Sequence, residues 1–121
     1  MAEYYRFIVG DKGIYEAVDK DCPKSDERRK QKPDGSWLAK VGMNYPGAIS
    51  FWTKKGLQKY ISSGLLKWHT SVIKGKAEVI IINEPKKVLY KDENQMIIDS
   101  SEIHIKTKQA LNEFIKNHKT I

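Results

Sequence analysis

The most concentrated charge in the sequence lies in the stretch CPKSDERRKQKPDGSW, residues 22–37. Arg28 and Arg29 are adjacent there, and two guanidinium groups side by side form a fork for one phosphate or carboxylate. Trp37 follows a Pro-Asp-Gly-Ser turn, so it is the aromatic residue best placed to stack on a ligand. Acids interleave with the bases, however, and such a mixed segment is more typical of a solvated loop with local ion pairs.

The middle third of the chain holds a second group of bases. Residues 51–82 contain six lysines and one acid, a balance of +5 in a chain whose net charge is +7. Helical spacing places Lys55 and Lys59 one turn apart, opposite an apolar face. We expect these lysines to attract an acidic partner, with an ordinary solvated helix face as the alternative. The group comprises Lys54, Lys55, Lys59, Lys67, Lys74 and Lys76.

The sequence contains few residues arranged for metal binding, cofactor binding or nucleophilic catalysis. Cys22 is the only cysteine, the three histidines are far apart, and there is no phosphate loop, Rossmann glycine pattern, serine elbow or zinc signature. We therefore assign no metal and no cofactor, and we expect His69, on the apolar face of a predicted helix, to be buried. A single cysteine favours a reducing compartment, the cytoplasm, and no apolar run is long enough to make a membrane a partner.

Three short patches form a further constellation, with Arg6 in YYRF, Ser50 and Thr53 in SFWT, and Glu93 in DENQMII. Their order resembles the arginine, serine-threonine and glutamate motifs of small ADP-ribosyltransferases. The resemblance implies that Arg6 holds the phosphates of a nicotinamide dinucleotide and that Ser50 and Thr53 line its pocket. It also implies that Glu93 orients the acceptor, where a carboxylate suits an oxocarbenium-like transition state.

The elements that must position these residues follow from periodicity and turn chemistry. With 40% hydrophobic and 31% charged residues, the 121-residue chain has globular composition and the length of one domain. Helices are predicted after the N-cap Thr53, after the stop at Gly64 and after Thr107. Strands are predicted at Glu3–Val9, Ile14–Val18, Ala48–Trp52, Ala77–Ile82, Lys87–Tyr90, Gln95–Asp99 and Glu102–Ile105.

Short turns between the late strands favour antiparallel pairing. The predicted fold is therefore a single α+β domain over residues 1–121, with a mainly antiparallel sheet and two or three helices packed on one face. Residues 19–47 are predicted to form a long irregular loop within it, because proline and glycine interrupt every period there.

The function predicted first is a small, basic, soluble binding module that recognises an acidic partner without catalysis. The partner would be a nucleic acid, a nucleotide or an acidic protein surface. The alternative is a small nucleotide-using transferase with Arg6, Ser50, Thr53 and Glu93 at its site. A third possibility is a protein-interaction domain whose charge serves only solubility.

Overall fold

Seven antiparallel strands form one sheet in the computed structural model, which describes residues 2–74 and 76–117. Four α-helices accompany the sheet in these residues, so the protein has an α+β fold. The strands are β1 (Glu3–Val9), β2 (Lys12–Gly13), β3 (Ala48–Trp52), β4 (Glu78–Asn83), β5 (Tyr90–Lys91), β6 (Gln95–Asp99) and β7 (Ile105–Ala110). The helices are α1 (Ile14–Asp21), α2 (Lys54–Ser62), α3 (Leu65–Ile73) and α4 (Leu111–Asn117).

Strand β1 lies in the interior of the sheet, whose order is β5-β6-β3-β1-β4-β7, with the short β2 also paired to β1. It has the predicted bounds, since its aromatic and β-branched residues suit a pleated, half-buried surface. The apolar run Ala77–Ile82 predicts a strand inside the sheet, and β4 confirms this because it pairs with β1 on one side and β7 on the other. Such a strand is expected to bury Ile80 almost fully, but Ile80 is only half-buried, whereas its neighbours Val79 and Ile81 are buried.

The two faces of the sheet serve two separate clusters, because successive strand residues point to opposite sides. Tyr5 and Phe7 of β1 face the main core, which also takes the buried side chains of all four helices. The opposite face carries a smaller cluster built from Tyr4, Phe51, Ile82, Met96 and Ile98. Val79 and Ile81 of β4 belong to the same cluster as Tyr5 and Phe7, whereas Ile82 belongs to the smaller one.

Helix α1 corrects the sequence prediction of a strand at Ile14–Val18. Ile14, Ala17 and Val18 are buried, and their i, i+3, i+4 spacing gives one apolar helix face. The alternation of apolar and polar residues in IYEAV fits a strand as well, and a short apolar run does not distinguish the two. Only the two residues of β2 pair back onto β1. The chain then enters α1, which packs on the main core.

The end of the chain differs from the prediction in a similar way. The segment expected to begin a helix after Thr107 is strand β7, and α4 begins at Leu111. Pairing with the edge of β4 along five registered positions outweighs the local signal of a threonine cap. Strand β5 covers Tyr90–Lys91, shorter and later than the predicted Lys87–Tyr90, whereas β3 and β6 have the predicted bounds.

The connection between α1 and β3 contains no α-helix or strand, only two short 3₁₀ helices at Glu27–Gln31 and Gly42–Asn44. The N-cap of the first is Asp26, whose carboxylate accepts from the Arg28 backbone N–H at 2.9 Å. The irregular segment therefore starts at Cys22, because α1 takes up residues 19–21.

Gly56 provides a test of how α2 docks on the sheet. A Cβ at this position would lie 1.8 Å from the Asn94 carbonyl oxygen, so Gly56→Ala should destabilise the protein although alanine is the better helix former. We expect a loss of about 3 kcal/mol in the free energy of unfolding, measured by chemical denaturation. Gly42→Ala is the control, since a Cβ there meets nothing within 4 Å. Equal stabilities of the two variants would contradict the close approach.

Candidate functional site

The adjacent arginines hold the long connection to the helices. Arg28 donates to the Asp26 carboxylate at 2.8 Å and to the Asp21 backbone carbonyl at 2.7 Å. These bonds lower the pKa of Asp26 to about 2, because Arg28 hydrogen-bonds the charged carboxylate. Arg29 donates to the Asp19 carboxylate and to the Cys22 carbonyl, and its guanidinium lies 5.6 Å from the centre of the Trp68 ring. Both guanidinium groups are therefore engaged within the protein.

Trp37 is likewise part of the packing. It is half-buried against the main core, its ring centroid lies 5.8 Å from that of Trp52, and the Lys59 ammonium lies 5.7 Å from its ring. Its indole N–H is buried without a hydrogen-bond partner among the described residues. The side chain predicted as an open stacking platform is thus covered on two sides.

The lysines of the middle third fall into two groups. Lys55 and Lys59 approach the Glu93 carboxylate to 2.8 and 3.7 Å, and these contacts lower the pKa of Glu93. Glu93 lies outside the 51–82 window, so the count of +5 misses this neutralisation. The remaining members are exposed and form no ion pair within residues 2–74 and 76–117; they are Lys54, Lys67, Lys74 and Lys76.

A cleft of about 780 Å³ lies where the irregular connection, the start of α1 and strands β1, β3 and β6 meet. Residues 32–42 form one wall, and the aromatic rings of Tyr15, Tyr45 and Trp52 contribute to the others. Trp52 is itself stacked on Tyr60 with the ring centroids 4.7 Å apart, so this wall is backed by the main core. The volume lies within the range of small-molecule sites, roughly 300–1,000 Å³.

Arg6 brings positive charge into this cleft from strand β1. The residue is half-buried, and its Nη1 donates to the Ser50 carbonyl oxygen at 3.1 Å. Burial lowers the pKa of Arg6, while the nearby Glu16 carboxylate acts in the opposite direction. Only one hydrogen bond of the guanidinium is formed with the described residues, which leaves further donors of the fork for a ligand.

Of the residues named by the transferase hypothesis, the structure brings Arg6 and Ser50 together in the cleft. Thr53 is instead the N-cap of α2, as predicted, since its hydroxyl accepts from Gly56 N–H and donates to the Glu93 carbonyl. Thr53 and Glu93 line a second depression, away from Arg6. The Glu93 carboxylate points to the lysines rather than into the cleft.

Gln95 connects the cleft wall to the sheet. It is buried, and its side-chain amide donates to the Ala39 carbonyl at 2.6 Å across 56 residues of chain. Its own backbone N–H donates to the Asp92 carboxylate at 2.9 Å, which fixes the start of β6. Gln95 therefore attaches the wall formed by residues 32–42 to the start of strand β6.

Three acids also line the cleft, and two of them are engaged. Asp19 pairs with Arg29, and Asp34 accepts from the backbone N–H and hydroxyl of Ser36. Glu16 forms no hydrogen bond or ion pair with the described residues, and it faces Arg6 closely enough to influence its charge. The cleft is thus not uniformly positive. Lys32 and Lys40 of the irregular connection also line it but are exposed, whereas Arg6 is half-buried.

The sequence prediction missed Gly13, Tyr15 and Glu16 as cleft residues because it assigned the segment around them to a hairpin strand. The helical spacing of Ile14, Ala17 and Val18 would have placed them at the start of a helix.

His69 is buried, as predicted, and its Nδ1 lies 2.6 Å from the Tyr60 hydroxyl. The Tyr15 ring packs edge-on against it with centroids 4.6 Å apart. Burial, together with the positive charge of Lys32, lowers the pKa of His69 to about 4. The imidazole is therefore a neutral core group at neutral pH.

The described residues contain no group of three or more histidine, cysteine, aspartate or glutamate side chains arranged to hold a metal ion. Nor does any helix among them have the length and apolar character needed to cross a membrane. A scan against family models, a search of curated proteins and a search of solved structures each found no match.

The role of Arg29 can be tested by stability and exchange. Arg29→Gln should lower the free energy of unfolding by about 1–2 kcal/mol, because the guanidinium is largely buried between Asp19 and Trp68. Amide hydrogen exchange across residues 22–31 should accelerate. Lys30→Gln is the control, since its ion pair with Glu27 is exposed to solvent on both sides and should contribute little. Unchanged exchange in the Arg29 variant would contradict this role.

His69 predicts a dependence of stability on pH. Its folded pKa of about 4 lies below the ordinary value of 6.5, so the unfolded chain takes up the proton first as the pH falls. The contribution is complete above pH 6.5 and is lost between there and about pH 4, amounting to about 3 kcal/mol. Denaturation at several pH values should show this loss in the wild type. His69→Gln should lack it, and parallel curves would contradict the prediction.

Proposed function

We propose that this protein is a binding module for a nucleotide-like anion, which it takes up in the cleft around Arg6. The observation that carries the proposal is a half-buried guanidinium with unused donors, opening into a cleft of about 780 Å³ with aromatic walls. A nucleotide is one of the acidic partners that the basic composition of the chain suggests. Its binding requires no catalysis by the protein.

The chemistry of the cleft suits a ligand with two different ends. The planar guanidinium of Arg6 matches the oxygens of a phosphate, and partial burial strengthens such charge-assisted bonds. Tyr15 and Tyr45, which line the cleft and are not buried, offer aromatic surface for a base. A free phosphate would leave this apolar surface empty, whereas a mononucleotide would use both ends of the cleft.

The transferase alternative shares this cleft through Arg6 and Ser50. It also needs a carboxylate beside the reacting centre, and Glu93 lies in the second depression with Thr53. The polyanion alternative depends on the unpaired lysines of α2 and α3 and on no part of the cleft. The two alternatives therefore respond to different substitutions.

The test measures the affinity of ADP by calorimetry at low salt. Arg6→Ala should weaken binding about 10- to 100-fold, since it removes charge-assisted hydrogen bonds. Arg6→Lys, which keeps the charge but loses the planar fork, should also weaken binding and guards against misfolding of the alanine variant. Lys30→Ala is the control for net charge, because Lys30 lies outside the cleft and should leave the affinity unchanged.

Two further measurements separate the alternatives. If a labelled RNA binds with strong salt dependence, and Lys54→Glu with Lys67→Glu weakens it while Arg6→Ala does not, the partner is a polyanion held by the lysines. If nicotinamide dinucleotide is consumed and Glu93→Ala abolishes its turnover, the transferase reading is correct. Absence of ADP binding to the folded wild-type protein would overturn the present proposal.

A further inference from the structure

Gly13 lies beside the Arg6 guanidinium and leaves room for it. A Cβ at position 13 would lie 2.8 Å from Arg6 Nη2, and the next nearest atoms are Cζ at 3.4 Å and Nη1 at 3.6 Å of the same group. Non-bonded carbon and nitrogen atoms do not approach to 2.8 Å without displacement of one of them. Every atom that a side chain at this position would first meet thus belongs to the guanidinium.

The backbone does not require glycine here. Gly13 has φ −65° and ψ 153°, an extended conformation open to any residue. The position is the N-cap of α1, where serine, aspartate and asparagine are favoured because their side chains accept from the free N–H groups of the first turn. Gly13 provides no such side-chain bond. Glycine is tolerated at an N-cap, and the space taken by Arg6 gives a further physical reason for a residue without a side chain here.

We propose that Gly13 is a positioning residue that sets where the Arg6 guanidinium meets the anionic end of the ligand. This inference rests on the proposed binding of a nucleotide in the cleft. A side chain at position 13 pushes the end of the Arg6 side chain away and breaks its bond to the Ser50 carbonyl. The displaced group is the far end of a flexible side chain, so the fold adjusts while the anion contact is lost.

This placement locates the anion subsite between the start of α1 and the Ser50 region of β3. Gly13, Arg6 and Ser50 all line the same cleft, and the Arg6–Ser50 bond of 3.1 Å spans from β1 to β3. A ligand without a phosphate does not use this subsite. Its affinity should therefore be insensitive to residue 13, which separates a positioning effect from a general change of the cleft.

The experiment is a double-mutant cycle read with two ligands. The proteins are the wild type, Gly13→Ser, Arg6→Ala and the double variant, and the ligands are ADP and adenosine, measured by calorimetry. Serine is chosen because it keeps a good N-cap and adds the Cβ. Gly13→Ser should weaken ADP about tenfold or more and change adenosine by less than about twofold. In the Arg6→Ala background the same substitution should change ADP affinity by less than about twofold.

The outcomes distinguish this inference from the proposed function. No binding of ADP to the wild type overturns both. Binding that depends on Arg6 but is unaffected by Gly13→Ser overturns the positioning role alone. An equal loss of ADP affinity with and without Arg6 would also overturn it, since residue 13 would then act by another route. If Gly13→Ser and Gly13→Ala both fail to fold by circular dichroism, the guanidinium does not yield and the inference is wrong.

Discussion

The guanidinium of Arg6, in a strand inside the sheet, is the group that the surrounding residues of the cleft must accommodate. Apart from Glu3 at its start, strand β1 is otherwise apolar and aromatic, and a half-buried charge in such a strand needs hydrogen-bond partners and solvent on one side. The Arg6 side chain reaches the Ser50 carbonyl near the single registered β1–β3 pair, Tyr5 opposite Trp52. Gly13 leaves room beside this group, and both residues line the cleft together with the segment of residues 32–42.

The basic side chains that stand out in the sequence take two different roles in the fold. Arg28 and Arg29, the most conspicuous pair, act as ties that fasten an irregular connection to α1 and α3. Lys55 and Lys59 are partly neutralised by Glu93, a residue nearly forty positions away. The net charge of a sequence window counts only the residues inside it. It misses acidic side chains that reach the same surface from another helix, strand or loop. Arg6 enters the cleft from strand β1, whereas Lys32 and Lys40 line it from the irregular connection.

The sequence predicts much of the scaffold and less of the site. The strong signals of β1, β3 and β6, and the stop at Gly64 between α2 and α3, are local and survive folding unchanged. Ile14–Val18 and the segment around Thr107 were assigned wrongly, because the choice between helix and strand was made there by packing on the main core and by pairing with β4. Glu16 lies within the first of these segments and Gly13 directly precedes it, so their place in the cleft was hidden. The separation of Glu93 from Arg6 is a property of the tertiary structure alone.

The stack of Trp37, Trp52 and Tyr60 has an optical consequence. Ring centroids separated by 5.8 Å and 4.7 Å bring the aromatic transition dipoles into strong coupling in a chiral arrangement. Such coupling gives rise to near-ultraviolet circular dichroism that depends on the mutual orientation of the rings. Trp37 belongs to the irregular connection and Trp52 to the sheet, so any displacement of one against the other alters the signal. The near-ultraviolet circular dichroism of the protein therefore reports the position of the cleft wall without an attached dye.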